Sequence, residues 1–381
     1  MSSPPRLPLP LGPCLVANTV RESPNSCDNT DGEFIVYQGS QVTNPSGVTY
    51  TLVDKVGEGH FGNVYEVNRN SENDNNQSFA MKISKAEQNS IEQFNYETLV
   101  MQYINQNARG NNQYYIPFMH DNFMYNGHLC IILDLGGPNL YNVLASRNFE
   151  GLSLANIQTI ARDLFMALVA IHRIGVIHTD IKPENIVQTN PFSVHVKLID
   201  FGNSITLNNT YEQYFQTRYY RAPETVLQLN IDTKIDIWSL GCVLCELFLG
   251  LPILPAMNEY HLVSLIEQTI GPFPTNMVEQ SVRRNAMFDT DYTVKSAQTI
   301  SQEEPDMSFE SFEPYFVYTQ LRDILENYPV DSSFNEERER LEIQRRDQFI
   351  NLVIQMLKID PDDRLSAEEA LAHPFMHLHF D

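Results

Sequence analysis

Positive charge is scarce in this 381-residue chain: 25 Lys and Arg stand against 48 Asp and Glu, a formal net charge of −23 at pH 7. That excludes the clustered basic surface that nucleic acid or an anionic membrane needs, and it slightly favours basic partners. Cysteine is sparse as well, with five scattered at Cys14, Cys27, Cys130, Cys242 and Cys245. An odd, dispersed set builds no disulfide framework and points to a reducing intracellular setting, nucleus or cytoplasm. Cys242 and Cys245 form a CxxC, but no second Cys or His pair lies near it, and their spacing inside an apolar run suits core packing rather than zinc. Long uncharged apolar runs are missing too. The run from Leu240 to Leu254 is interrupted by Glu246 and Pro252 and is too short to span a bilayer, and the proline-broken start carries no signal peptide. These absences predict a soluble protein with neither membrane nor nucleic acid as a partner. The apolar share of 42% is enough for two or three packed units.

Residues 1–47 are rich in Pro, Ser, Asn and Gly, and their composition predicts a disordered arm. From Val48 onward short alternating runs predict strands over Tyr50–Val56, Val64–Val67, Phe79–Ile83 and His128–Leu135. Ser90 to Gln93 reads as a capping box opening a helix whose apolar positions are Ile91, Phe94, Leu99, Met101 and Ile104. After Gly136 the pattern turns helical, with helices predicted over Ser153–Arg173, Trp238–Phe248, Leu262–Ile270, Arg345–Lys358 and Ala367–His373. Few helix-length apolar patterns occur in the acidic segment 272–341. The expected class is α+β: a small strand-rich lobe with one helix at about 48–135, and a larger helical lobe at about 136–377 with an insert at 272–341.

Four stretches carry chemistry. Gly57, Glu58, Gly59, His60, Phe61, Gly62, Asn63 and Val64 form a GxGxxG joined to a valine. A strand follows it rather than a helix, which excludes a dinucleotide fold and suits a hairpin whose amides close over a triphosphate, with Phe61 at the tip. Lys82 lies between apolar Met81 and Ile83, and Glu97, fifteen residues on, is better placed than Glu92 to pair with it and position the α- and β-phosphates. In His178-Thr-Asp-Ile-Lys-Pro-Glu-Asn185, Asp180 can accept a hydroxyl proton, Lys182 can neutralise a γ-phosphate and Asn185 can hold Mg²⁺, while His178 is a packing element. Asp200, before Phe201-Gly202, supplies a second metal ligand. Glu224 and Arg364 are candidates for a buried ion pair, and Asp236 for fixing the 178–185 loop through its amides.

On these motifs the chain resembles the eukaryotic protein kinases from about Tyr50 to His377. Gln216-Thr-Arg-Tyr-Tyr-Arg221, Asn139-Leu-Tyr and Trp238-Ser-Leu-Gly-Cys242 look like the CMGC group's dual-specificity tyrosine-regulated and homeodomain-interacting branch. His178-Thr-Asp180 is instead the form of LAMMER and SR-protein kinases, which act on basic Arg/Ser-rich substrates; they are the alternative. The resemblance implies a bilobal fold over 48–377, ATP and Mg²⁺ as cofactors, and a monomer acting on Ser/Thr of protein substrates, often before Pro. It implies that Val56, Val64, Ala80 and Val187 sandwich the adenine, with Leu133 behind it and Asp134 and Leu135 as hinge. It further implies autophosphorylation on Tyr214, whose phosphate would meet Arg218 and Arg221.

Overall fold

Alternation of apolar and polar residues builds the first half of the chain. A computed structural model describes residues 12–23, 26–70, 77–108, 114–207, 216–303, 316–330 and 333–380. The chain divides into two units, one of residues 1–137 with 200–202, the other of 138–199 with 203–381.

The first unit is a six-stranded sheet with one long helix. Strands β1 (Gln41–Thr43), β2 (Thr49–Gly59), β3 (Gly62–Asn70), β4 (Ser78–Ser84), β5 (Met119–Tyr125) and β6 (His128–Asp134) pair antiparallel in the order β1-β2-β3-β4-β6-β5. Tyr65 and Val67 on β3, Met81 and Ile83 on β4 and Cys130 and Ile132 on β6 alternate into one buried face. Helix α1 (Gln88–Asn107) starts before the expected capping box. Its N-cap is Glu87, which makes no side-chain cap bond, and Ser90 is buried inside the helix. Phe94, Met101 and Ile104 are buried as the pattern predicts, whereas Leu99 is 63% exposed.

The described part of the expected arm is structured. Val16, Ile35, Val36 and Val42 join the buried cluster with Tyr65, Val67 and Met81, and β1 adds an edge strand. A few buried aliphatics and side-chain bonds to distant residues hold this segment, so its turn-rich composition does not leave it unfolded.

The second unit is mainly helical: α2 (Leu140–Ser146), α3 (Leu154–His172), α4 (Pro223–Val226), α5 (Lys234–Leu249), α6 (Glu259–Thr269), α7 (Thr275–Gln280), α8 (Arg284–Met287), α9 (Ala297–Glu303), α10 (Leu321–Glu326), α11 (Glu336–Met356) and α12 (Ala367–Leu371). Two small antiparallel pairs complete it, β7 (Val176–Ile177) with β10 (Ile205–Thr206) and β8 (Ile186–Gln188) with β9 (Val196–Leu198). By length and apolar composition α3 is able to cross a membrane. Its apolar stripe, including Leu164, Phe165 and Leu168, is buried within this unit, the pattern of a core helix. Helix α5 is buried from Ile235 to Leu249 and stops at Gly250, whose φ of 82° and close approach to the Phe149 carbonyl admit only glycine. Helix α11 begins nine residues before the expected Arg345, because its polar first turns rest on a cap in which Asn335 accepts from the Arg338 amide, not on an apolar stripe.

Candidate active site

In the first unit, β2 and β3 meet at the glycine hairpin, and its register fixes what faces what. Gly57 lies opposite Val64, Val64 opposite Lys82, and Ala80 opposite Leu133. The hairpin root is tight: a Cβ on Gly62 would meet the Ile83 carbonyl oxygen at 2.2 Å, so only glycine fits. Gly59 and His60 are exposed at the tip, Phe61 packs edge-on against His60, and Glu58 is exposed and paired with Lys55. Asn63 differs from its neighbours. Its side chain is 3% exposed and donates to Glu33 at 3.0 Å instead of facing the hairpin's solvent side.

Lys82 Nζ donates to both carboxylate oxygens of Glu97, at 2.6 and 2.8 Å, and to Asp200 Oδ1 at 3.0 Å. Burial alone would lower the Lys82 pKa, but the carboxylates of Asp200 and Glu97 outweigh it and hold the ammonium above its usual range. Glu92, the competitor, is exposed and accepts from Gln88. Gln93 donates to the Gly202 carbonyl at 2.5 Å, which ties Asp200–Gly202 to α1. Asp200 itself adopts a left-handed φ of 67°. Of the expected adenine residues in this unit, Ala80 and Leu133 are buried, Val64 and Leu135 half-buried and Val56 51% exposed. The Asp134 side chain accepts from the Phe118 amide and bonds His120, which fixes the chain after β6.

The second unit holds the loop 178–185. Asp236, wholly buried, accepts from the His178 amide at 2.8 Å and the Thr179 amide at 2.9 Å, and also bonds His172. This single carboxylate permits Thr179 its positive φ of 65°. His178 bridges the Asp180 amide and the Ile199 carbonyl, a structural role as expected. Lys182 Nζ donates to Asp180 Oδ2 at 2.8 Å, Thr217 Oγ1 to Asp180 Oδ1 at 2.7 Å, and Asn185 Nδ2 to the Asp180 carbonyl at 2.8 Å. Burial alone would raise the Asp180 carboxyl, but the Lys182 charge and the hydrogen bonds from Lys182 and Thr217 outweigh it and hold the group below the usual carboxylate range. The sequence reading missed Thr217; its signal was the Gln216-Thr-Arg stretch, valued for resemblance only. Val187 is buried on β8.

The expected phosphate ligands are engaged otherwise. Arg221 is 2% exposed, donates to Glu259 at 2.8 Å and binds the Gln216 carbonyl; Arg218 donates to the Met257 carbonyl. Tyr214 lies outside the described residues. Among the described residues no cluster of three or more His, Cys, Asp or Glu forms a ready metal cage. Asn185 commits its amide nitrogen to Asp180 and leaves its carbonyl oxygen, and Asp200 offers a carboxylate that is 41% exposed. Each is, by itself, an oxygen donor of the kind a hard cation takes alongside phosphate and water.

The protein kinase domain family matches residues 50–376. The chain is 30% identical to the dual specificity protein kinase YAK1 of Saccharomyces cerevisiae, over 92% of this chain and 45% of that protein. It is 29% identical to the DYRK-family kinase pom1 of Schizosaccharomyces pombe, over 92% and 29%, and 30% identical to the homeodomain-interacting protein kinase 2 of Mesocricetus auratus, over 93% and 30%. It therefore spans less than half the length of each of these relatives. They side with the DYRK-type and homeodomain-interacting branch and not with LAMMER kinases. The chain belongs to the protein kinase family.

Proposed function

We propose that this chain is an ATP- and Mg²⁺-dependent protein kinase that phosphorylates Ser and Thr, often before Pro, and autophosphorylates Tyr214. The observation that carries this is Asp180, a buried carboxylate kept ionised by Lys182 and Thr217 beside Asn185. Asp180 accepts the proton of the attacking hydroxyl, and Lys182 neutralises the transferring γ-phosphate. Lys82, held by Glu97, grips the α- and β-phosphates. When bound, magnesium supplies charge neutralisation on the triphosphate oxygens, and Asn185 and Asp200 would hold it.

The test is phosphorylation of a degenerate peptide library by purified protein with Mg-ATP. Transfer to Ser and Thr, enriched for a following Pro, is expected; no transfer at all would end the proposal. Mass spectrometry of protein expressed in bacteria should find phosphate on Tyr214, and an active enzyme unmodified there would refute autophosphorylation.

The acid side of the pH profile gives a further check. A base whose pKa is depressed stays ionised as pH falls through the ordinary carboxylate range, so kcat declines only below it. Thr217→Val removes one donor to Asp180 and should move the acid limb to higher pH. An unmoved limb in the variant would mean that Asp180 is not the titrating group.

A further inference from the structure

Residues 26–37 lie outside every motif described above, yet they reach the glycine hairpin. Glu33 sits at the centre of that contact. Its Oε1 accepts from Asn63 Nδ2 at 3.0 Å and its Oε2 from Asn29 Nδ2 at 2.8 Å, while its amide donates to Asn29 Oδ1 at 2.8 Å. Asn29 is 1% exposed, so the carboxylate is held at both oxygens by amides that have almost no water to turn to.

The neighbouring residue makes a second tie. The Gly32 carbonyl accepts from the Ala86 amide at 2.8 Å, and the preceding amide, that of Lys85, donates to the carbonyl of Phe61 at the hairpin tip, at 2.9 Å. The segment is itself anchored. Ile35 and Val36 are buried in the sheet's core, and the buried His128 ring lies 2.9 Å from Asp28 Oδ1 and 2.7 Å from the Ser84 carbonyl oxygen. Glu33 thus braces β3 where it leaves the hairpin, and Gly32 the turn that leads into α1.

We infer that Glu33 is a positioning residue for nucleotide: through Asn63 it fixes the glycine hairpin in the shape whose amides meet the triphosphate. Asn63 directly follows Gly62 and directly precedes Val64, so a change in its seating is transmitted to backbone on both sides. With the carboxylate gone, the buried Asn63 amide loses its charged acceptor, and its Oδ1 already lacks a donor, so the hairpin is no longer held in that seating. This inference rests on the kinase reading, since it concerns the same nucleotide.

The test is calorimetric titration of full-length variants with Mg-ADP, which requires no phosphate transfer, together with KM for ATP and kcat. Glu33→Ala should weaken Mg-ADP binding and raise KM by roughly fivefold to tenfold, with kcat held. Asn63→Asp sets carboxylate against carboxylate and should weaken binding at least as much. Adding Glu33→Gln to Asn63→Asp should restore it, because the new amide donates to the carboxylate introduced at position 63 while its oxygen still accepts from Asn29. That rescue also guards against a variant that merely folds poorly. Variants that lose thermal stability but bind Mg-ADP like the parent, or single-variant losses that add instead of overlapping, would overturn the inference. A parent protein that binds no Mg-ADP would overturn the kinase reading and this inference with it.

Discussion

Asp180→Asn is expected to lower kcat by about 10²–10⁴-fold, the usual contribution of a positioned general base. The substitution keeps size and shape, and Thr217 can still donate to the remaining oxygen. What it removes is the negative charge, and with it the ability to take a proton from the substrate hydroxyl. Nucleotide affinity should change little, because Lys82, Glu97 and the glycine hairpin are untouched. Measuring phosphate transfer and Mg-ADP binding on the same preparation separates an enzyme from an idle scaffold built on the same fold. A scaffold would lose neither property, and unchanged transfer in the variant would exclude Asp180 as the base.

The second large effect falls on stability. Arg364 and Glu224 are both almost wholly buried, joined by two parallel bonds of 2.7 and 3.0 Å. Arg364 also donates to the carbonyls of Lys234, Lys358 and Ile359 and lies over the Trp238 ring. Its planar fork thus serves three chain segments, the start of α4, the start of α5 and the stretch after α11. Arg364→Ala leaves Glu224 as an unpaired buried charge and takes a donor from three carbonyls. The expected cost is about 3–5 kcal/mol, read as a fall in Tm of roughly 6–20 °C. Arg364→Lys should recover little, since an ammonium cannot form the fork. Removing both partners, as Glu224→Gln with Arg364→Met, should cost less than Arg364→Ala alone. If Arg364→Ala melts with the parent, the pair does not hold this unit together.

Much of this was legible in the residues because the chemistry demands particular groups at particular spacings. Fifteen residues between Lys82 and Glu97 place them on a strand and the following helix, and the contact at 2.6 Å bears that spacing out. Asp236 and the pair of Glu224 with Arg364 were also readable, as charges set in apolar surroundings where each needs a partner. What escaped was whatever depends on a single long-range bond. The segment before Val48 looks unstructured because no period runs through it, yet Glu33, Asp28 and four aliphatics seat it on the sheet. Ser90 carries a capping signature, but its residue is wanted inside the helix, where burial overrides the local preference. Thr217 was passed over because a hydroxyl gains a role only from what it touches. Arg221 looked available for a phosphate because spacing alone does not reveal that Glu259 has claimed it.

The placement of the cysteines has a practical consequence. Cys130, Cys242 and Cys245 are buried, and burial pushes their thiols up, Cys130 to about 12. Cys14 and Cys27 are only half-buried, both on the segment that precedes the sheet. An alkylating probe added to native protein therefore acts as a two-speed stopwatch. The fast pair times the lifting of the N-terminal segment, and the slow three time the opening of the interior, on one chain and without any engineered label.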